Sequence, residues 1–212
     1  SRSSRMVKSL YLGPQHGELS LGEDSQRMTT QEVATFIMQG DIVALFQGRS
    51  EAGPRALGNR SLLYDPRSPK AKDHVNTVKG REAFRPFAAT VLKEHVHDWF
   101  DLAGMDDVPH MMYAVDALPA VYDKIPGVLH VDKTCRIQTL TREQNPVYYE
   151  IIEEFYKYTK VPMVFNTSFN RAGEPLVETL EDALETFNAC PGIQVLYVPE
   201  TRRAIKKSRI FD

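Results

Sequence analysis

Short apolar runs that alternate with helix-patterned segments are the feature that most constrains the fold of this 212-residue chain. The clearest runs predict buried strands at Ile42 to Phe46, Ala88 to Leu92, Met163 to Phe165 and Gln194 to Val198. Between them, apolar residues recur at helical spacing behind three residues typical of helix N-caps, Thr29, Asn145 and Thr179. This alternation, with no internal repeat, predicts one α/β domain over residues 29–212, preceded by an arm or linker over 1–28.

Weaker patterns predict the remaining elements. Further strands are expected at Leu62 to Tyr64, Met111 to Val115 and Cys135 to Leu140, and helices are expected from Ser68 and Pro69 and over 94–102. The basic segment from Arg202 to Arg209 is expected to be a solvated end.

Composition narrows the class of protein. Hydrophobic residues make up 42% of the chain and charged residues 25%, as in ordinary soluble globular proteins. The formal net charge of -2 argues against a generic nucleic-acid coat, and no apolar run approaches the roughly 18 residues of a membrane span. We expect a cytoplasmic protein with two reduced cysteines. We expect no metal site, because His95 and His97 have no evident third ligand.

The stretch from Gly48 to Ser61 has the composition of an oxyanion-binding loop. It follows the Ile42 to Phe46 strand and carries three glycines and the three arginines Arg49, Arg55 and Arg60. Glycine lets backbone amides approach a ligand closely, and the arginine fork fits phosphate or carboxylate. The alternative is a solvent-exposed basic loop.

Two other loops share this polar character. One carries Lys79, Arg81 and Arg85, and the other carries Asn166, Thr167, Ser168 and Asn170. Loops at the ends of strands in α/β folds tend to meet over a ligand, and this mixture of cations, hydroxyls and amides suits a nucleoside triphosphate or an acyl phosphate. No Walker pattern follows the glycine-rich stretch.

A fourth candidate lies on the strand predicted at Cys135 to Leu140. Arg136 and Gln138 share one face of that strand, so both could point into a site. The alternative is a surface strand edge.

Four stretches together resemble the C-terminal domain of O-carbamoyltransferases of the nodulation and cephamycin/tobramycin type. They run from Gly48 to Ser61, Lys79 to Pro86, His130 to Gln138, and Phe165 to Asn170 with Gly173-Glu174-Pro175. The resemblance covers nearly the whole chain. It implies a YrdC/Sua5-like fold: a twisted mixed β-sheet flanked by helices, with a concave basic face.

The resemblance also implies a reaction. Carbamoyl phosphate and ATP, the latter with Mg²⁺, would react in this domain to give carbamoyl adenylate and pyrophosphate. The carbamoyl group would then move to an acceptor hydroxyl in an upstream, metal-binding Kae1-like domain that this chain lacks. No tightly bound metal is expected here.

Residue roles are carried over from the matching motifs. The resemblance assigns chemistry to Lys79, Arg55, Arg136 and Ser168, which would neutralise or hold the phosphoryl groups. Binding of substrate or nucleotide is assigned to Arg49, Arg60, Arg81, Arg85, Gln138, Asn166, Thr167 and Asn170. Lys133 stands where the family usually has glycine, which puts the geometry around Arg136 in question.

Two other functions stay open at this point. A threonylcarbamoyl-adenylate synthase would use bicarbonate and threonine in the same fold. A non-catalytic RNA-binding module would use the basic face alone and show salt-sensitive binding, although the slight net acidity argues against it.

Overall fold

The structure is a computed structural model, and it describes residues 11–12, 19–48, 58–80, 87–105 and 113–208. Four of the predicted site residues, Arg49, Arg55, Arg81 and Arg85, lie outside these ranges. The roles assigned to them stay predictions.

Four α-helices form where apolar residues recur at helical spacing. They are α1 (Thr30–Met38), α2 (Ala71–Lys79), α3 (Pro146–Thr159) and α4 (Leu180–Ala189). Thr29 forms a capping box with Glu32, Thr179 forms one with Asp182, and the Asn145 side chain accepts from the amide of Tyr148. The three caps predicted from sequence are therefore confirmed.

The start predicted for α2 is wrong. The helix begins at Ala71 because Ser68 is used in a preceding turn, where its carbonyl oxygen accepts from Ala71 and its hydroxyl from the Lys70 amide. The helix predicted over 94–102 is also wrong beyond Asp98: Lys93–Asp98 forms a 3₁₀ helix, and a strand follows.

Twelve strands occur in the part of the chain that the structure describes. They are β1 (Tyr11–Leu12), β2 (Leu19–Ser20), β3 (Gln26–Arg27), β4 (Ile42–Phe46), β5 (Arg60–Tyr64), β6 (Ala88–Leu92), β7 (Phe100–Asp101), β8 (Ala114–Ala117), β9 (Thr134–Leu140), β10 (Met163–Ser168), β11 (Ile193–Val198) and β12 (Arg203–Lys206). The strands predicted at 42–46 and 88–92 match β4 and β6.

Ten of these strands form one mixed sheet in the order β3-β12-β11-β4-β5-β10-β6-β9-β8-β7, while β1 and β2 pair separately. The β4–β11 and β6–β9 pairs are parallel, and the other pairs in the sheet are antiparallel. Helix α1 packs on α3, and α3 packs on β6 and β10. The predicted α/β class, a mixed sheet flanked by helices, is confirmed.

Strand β10 runs further than its apolar residues suggested. Asn166 and Thr167, predicted as loop, are strand residues because β10 lies between β5 and β6 and exchanges backbone hydrogen bonds with both. Their side chains are almost completely buried. The site side chains of this segment are therefore held by the sheet.

Both ends of the described chain pack on the domain. Within the predicted arm, Leu21 and Met28 are buried, and β3 pairs with β12. The expectation of a solvated basic end is wrong for Arg203 and Lys207: Arg203 donates to Ser25, and the Lys207 ammonium donates to the carbonyl oxygens of Phe187 and Cys190. Their long apolar stems allow burial while the charged heads find acceptors.

Candidate active site

Lys79, Ser168 and Asn170 form a compact polar cluster at the end of β10. Lys79 is only 2% exposed, and its Nζ donates to the Ser168 carbonyl at 2.6 Å, to Ser168 Oγ at 3.2 Å and to Asn170 Oδ1 at 3.0 Å. Ser168 Oγ donates to the same Asn170 oxygen at 2.7 Å. Two loops that were predicted independently to bind an anion thus meet at one point.

Local backbone contacts fix this cluster. Lys79 is the last residue of α2, and Gly80 then takes a left-handed φ of 75°, which ends the helix. The amide of Ala172 donates to the Lys79 carbonyl, and the amide of Phe169 donates to the Arg60 carbonyl. The end of α2 and the segment after β10 are thereby tied together.

One face of the sheet connects the cluster to β9. Asn166 Nδ2 donates to Thr90 Oγ1 at 3.2 Å, so the two side chains share a face, and Thr90 is paired in register with Gln138. Because strand side chains alternate, Ser168 lies on the Asn166 face and Arg136 on the Gln138 face. Four predicted site residues therefore share one face of the sheet.

The polar side chains at the centre of this face are almost completely buried. The Tyr148 hydroxyl, in α3, donates to Thr90 Oγ1 at 2.7 Å, and burial raises the pKa of Tyr148. Gln138 is 3% exposed, and its Oε1 is buried with no hydrogen-bond partner among the described residues. Thr90 and Tyr148 did not enter the sequence-based site, although a threonine inside the apolar run 88–92 was a signal.

Arg136, in contrast, is exposed on this face. It follows a tight turn in which Lys133 has a φ of 67° and donates its amide to the His130 carbonyl. That left-handed conformation favours glycine, which explains why a glycine suits this position. Asp132 accepts from the amide and hydroxyl of Thr134, which lowers the pKa of its carboxyl group and holds the turn.

Two predicted binding residues point elsewhere. Thr167 is buried, and alternation places it on the opposite face of β10 from Asn166 and Ser168. The Arg60 guanidinium lies 3.8 Å from the centroid of the Phe46 ring. It donates to four carbonyl oxygens, those of Gln47, Gly48, Asn59 and Glu178.

Arg60 thus holds the two ends of the arginine-rich stretch. Burial lowers the pKa of its guanidinium, which the negative charge of Glu200 partly opposes. Glu200 also accepts from the Gly48 amide at 2.7 Å. The four hydrogen bonds that Nη1 and Nη2 of Arg60 donate indicate a role in positioning the backbone around residues 48 and 59, while Nε is buried with no hydrogen-bond partner among the described residues.

No group of three His, Cys, Asp or Glu side chains among the described residues is placed to hold a metal ion. Within the same residues, none of the helices has the length and apolar character needed to cross a membrane.

Comparison with known proteins decides the family. A model of the carbamoyltransferase C-terminus matches residues 34–204. The chain belongs to this family. It is 40% identical over 192 residues to the nodulation protein NolO of Bradyrhizobium diazoefficiens, a match that covers 84% of this chain and 35% of NolO. The carbamoyltransferase domain therefore spans about a third of that relative.

A solved structure shares the fold at low identity. The chain superposes on HypF of T. kodakarensis with a TM-score of 0.52 at 18% identity, covering 75% of this chain and 19% of HypF. A weaker similarity, with a TM-score of 0.46 at 16% identity, is to Sua5 of P. abyssi and covers 76% of this chain and 46% of Sua5. The carbamoyltransferase domain thus has the fold of part of HypF.

Proposed function

We propose that this carbamoyltransferase domain forms carbamoyl adenylate from carbamoyl phosphate and ATP. The observation that carries the proposal is the junction of Lys79, Ser168 and Asn170 at the end of a sheet face that leads to Arg136. Family membership supports the transfer of a carbamoyl group. A buried ammonium beside hydroxyl and amide groups suits phosphoryl oxygens, whose charge needs several donors at once.

The reaction balances in two steps. Water first cleaves carbamoyl phosphate to carbamate and inorganic phosphate. A carboxylate oxygen of carbamate then attacks the α-phosphorus of ATP, and pyrophosphate leaves as the bond between the α-phosphorus and the bridging oxygen breaks. Such a transfer depends mainly on positioning and charge neutralisation, and it needs no covalent enzyme intermediate.

The described residues divide this work between two ends of the site. Lys79 would neutralise the phosphoryl group under attack, while Ser168 and Asn170 would bond the α-phosphate and ribose region. Arg136 would hold the phosphate of carbamoyl phosphate at the exposed end. Arg49, Arg55, Arg81 and Arg85 stay predicted contributors, and Mg²⁺ would enter with ATP as part of the substrate complex.

Transfer to the final acceptor is assigned to another part of a longer protein. Because the chain spans about a third of NolO, we propose that an upstream metal-binding domain receives the carbamoyl adenylate. The 212-residue chain alone should then release pyrophosphate without modifying an acceptor.

Pyrophosphate release from ATP, measured with and without carbamoyl phosphate, tests the proposal. We expect release only with both substrates, and a loss of roughly 2–4 kcal/mol of transition-state stabilisation in Lys79→Ala and in Ser168→Ala. Lys157→Ala, an exposed lysine paired with Glu154, and Ser208→Ala are matched controls that should keep the activity.

The two alternatives give different results in the same assay. Release that requires threonine and bicarbonate in place of carbamoyl phosphate would identify a threonylcarbamoyl-adenylate synthase. Salt-sensitive RNA binding without ATP turnover would identify a binding module. Normal turnover by both the Lys79 and Ser168 variants would overturn the roles given to them.

A further inference from the structure

Gln138 carries an unused hydrogen-bond acceptor inside the candidate site. The residue is 3% exposed, and Oε1 is buried without a hydrogen-bond partner in the part of the chain that the structure describes. Native proteins pair nearly all buried polar atoms, because a buried carbonyl oxygen without a partner loses its hydrogen bonds to water and gains none in the protein. An unpaired acceptor at a candidate site can receive a hydrogen bond from a donor group on the bound ligand.

Among the described residues, no neighbour of Gln138 supplies that donor. Thr90 is its partner in register on β6, and its hydroxyl oxygen accepts from Tyr148 and from Asn166, but the Thr90 hydroxyl donates no hydrogen bond to Oε1 of Gln138. The hydrogen bonds from Tyr148 and Asn166 therefore converge on Thr90, and neither of them involves Oε1 of Gln138.

The position of Arg136 suggests which ligand brings the donor. Arg136 lies two residues before Gln138 on the same strand face and is exposed, whereas Gln138 is buried. Two strand residues span about 6.6 Å, so one small acyl phosphate can contact both side chains. Its phosphate would meet the exposed arginine, and its acyl group would point inward to the glutamine.

Resting on the proposed function, we infer that Gln138 Oε1 accepts a hydrogen bond from the NH₂ group of carbamoyl phosphate or carbamate. This contact makes Gln138 a specificity-determining residue. Acetyl phosphate has nearly the same shape, but its methyl group cannot donate, so it would leave Oε1 buried and unpaired. A site built to bond an N–H group rejects an analogue that lacks it.

The test compares carbamoyl phosphate with acetyl phosphate in ATP-dependent pyrophosphate release by the whole 212-residue chain. The wild type should prefer carbamoyl phosphate in kcat/KM by at least about tenfold. In Gln138→Met, which has a similar volume and no acceptor, kcat/KM for carbamoyl phosphate should fall by about tenfold or more, while the value for acetyl phosphate holds or rises. Gln138→Glu keeps an acceptor oxygen and should keep the preference.

Thermal unfolding separates this role from a structural one. Gln138→Met removes an unpaired polar atom, so its Tm should equal or exceed that of the wild type. Gln194→Met, on β11 of the same sheet, is the matched control and should leave both the Tm and the substrate ratio unchanged.

Three outcomes would overturn the inference, and they are distinguishable. An unchanged substrate ratio in Gln138→Met refutes the role of Gln138 and leaves carbamoyl adenylate formation standing. Equal losses with both substrates, together with a lower Tm, show that Gln138 is structural. Absence of release by the wild type with carbamoyl phosphate refutes the proposed function and this inference with it.

Discussion

The ammonium group of Lys79 donates a hydrogen bond to Oδ1 of Asn170 at 3.0 Å, although the two residues are 91 positions apart. Asn170 Oδ1 also accepts from Ser168, and Asn170 Nδ2 donates to the Glu174 carbonyl at 2.7 Å. This asparagine therefore orients the lysine through a neutral oxygen, which does not cancel the charge of the ammonium.

Asn170→Asp should weaken ATP binding. A carboxylate beside Lys79 would compete with phosphate for the ammonium and repel it directly, so we expect the Kd for ATP to rise about tenfold, equivalent to about 1.4 kcal/mol. Calorimetric titration with ATP measures the change. Gln26→Glu, an exposed change on the edge strand β3, adds the same charge and should leave the Kd unaltered. An unaltered Kd in Asn170→Asp would remove the cluster from the nucleotide site.

Arg60→Lys should destabilise the fold. Lysine cannot donate to four carbonyl oxygens or stack on Phe46 as the guanidinium does. We expect the free energy of unfolding in urea to fall by about 2–4 kcal/mol. Arg67→Lys, at a partly exposed ion pair with Asp65, should cost about 1 kcal/mol or less. A stable Arg60→Lys that had lost ATP affinity would instead show that Arg60 binds the ligand.

Gly58→Ala tests the close packing of Gly58 against Tyr148. Gly58 has a φ of 74°, and a Cβ there would lie 2.3 Å from Cδ2 of Tyr148. We expect a loss of about 3 kcal/mol or more, because overpacking adds to the cost of a left-handed backbone. Gly104→Ala, with a φ of 89° and nothing within 4 Å, isolates the backbone contribution and should cost about 1 kcal/mol. Equal losses in the two variants would contradict the clash.

Lys207 should make stability depend on alkaline pH. Burial lowers the pKa of its ammonium from 10.5 to about 8 in the folded protein. Between these values the unfolded chain binds the extra proton, so the free energy of unfolding contributed by this group rises with pH and levels off near 10.5. Urea unfolding from pH 7 to 10 should show this rise in the wild type relative to Lys207→Met.

The exposed Lys206 provides the comparison for that experiment. Lys206→Met should track the wild type across the pH range, since its side chain lies on the surface. If Lys207→Met follows the wild type as well, the buried ammonium has no such influence.

Sequence patterns predicted the elements that carry their own local signals. The caps at Thr29, Asn145 and Thr179 and the apolar strands β4 and β6 needed no tertiary information. Strand β10 was predicted too short because polar Asn166 becomes strand only when β5 and β6 enclose it, and Thr167 only when it pairs with Leu62 of β5. Polarity alone predicts a loop in such a case.

The candidate site shows the same division. Composition singled out Lys79, Ser168 and Asn170, which the fold brings within hydrogen-bonding distance. Composition could not distinguish Arg60, which donates to backbone carbonyl oxygens, from an arginine that faces a ligand. The two kinds of arginine differ only in their tertiary surroundings. Thr167 was included by proximity in sequence, whereas strand alternation turns it to the opposite face.

The parallel pairing of β4 with β11 joins Ile42 to Ile193. Strand β4 is buried along its whole length, and although β5 follows closely in sequence and pairs with one edge of β4, the other edge stays unpaired until β11 has been synthesised. Closing so long a loop slows folding, and a truncated chain would expose an aggregation-prone strand. The pairing of β4 with β11 therefore forms only after β11 has been synthesised.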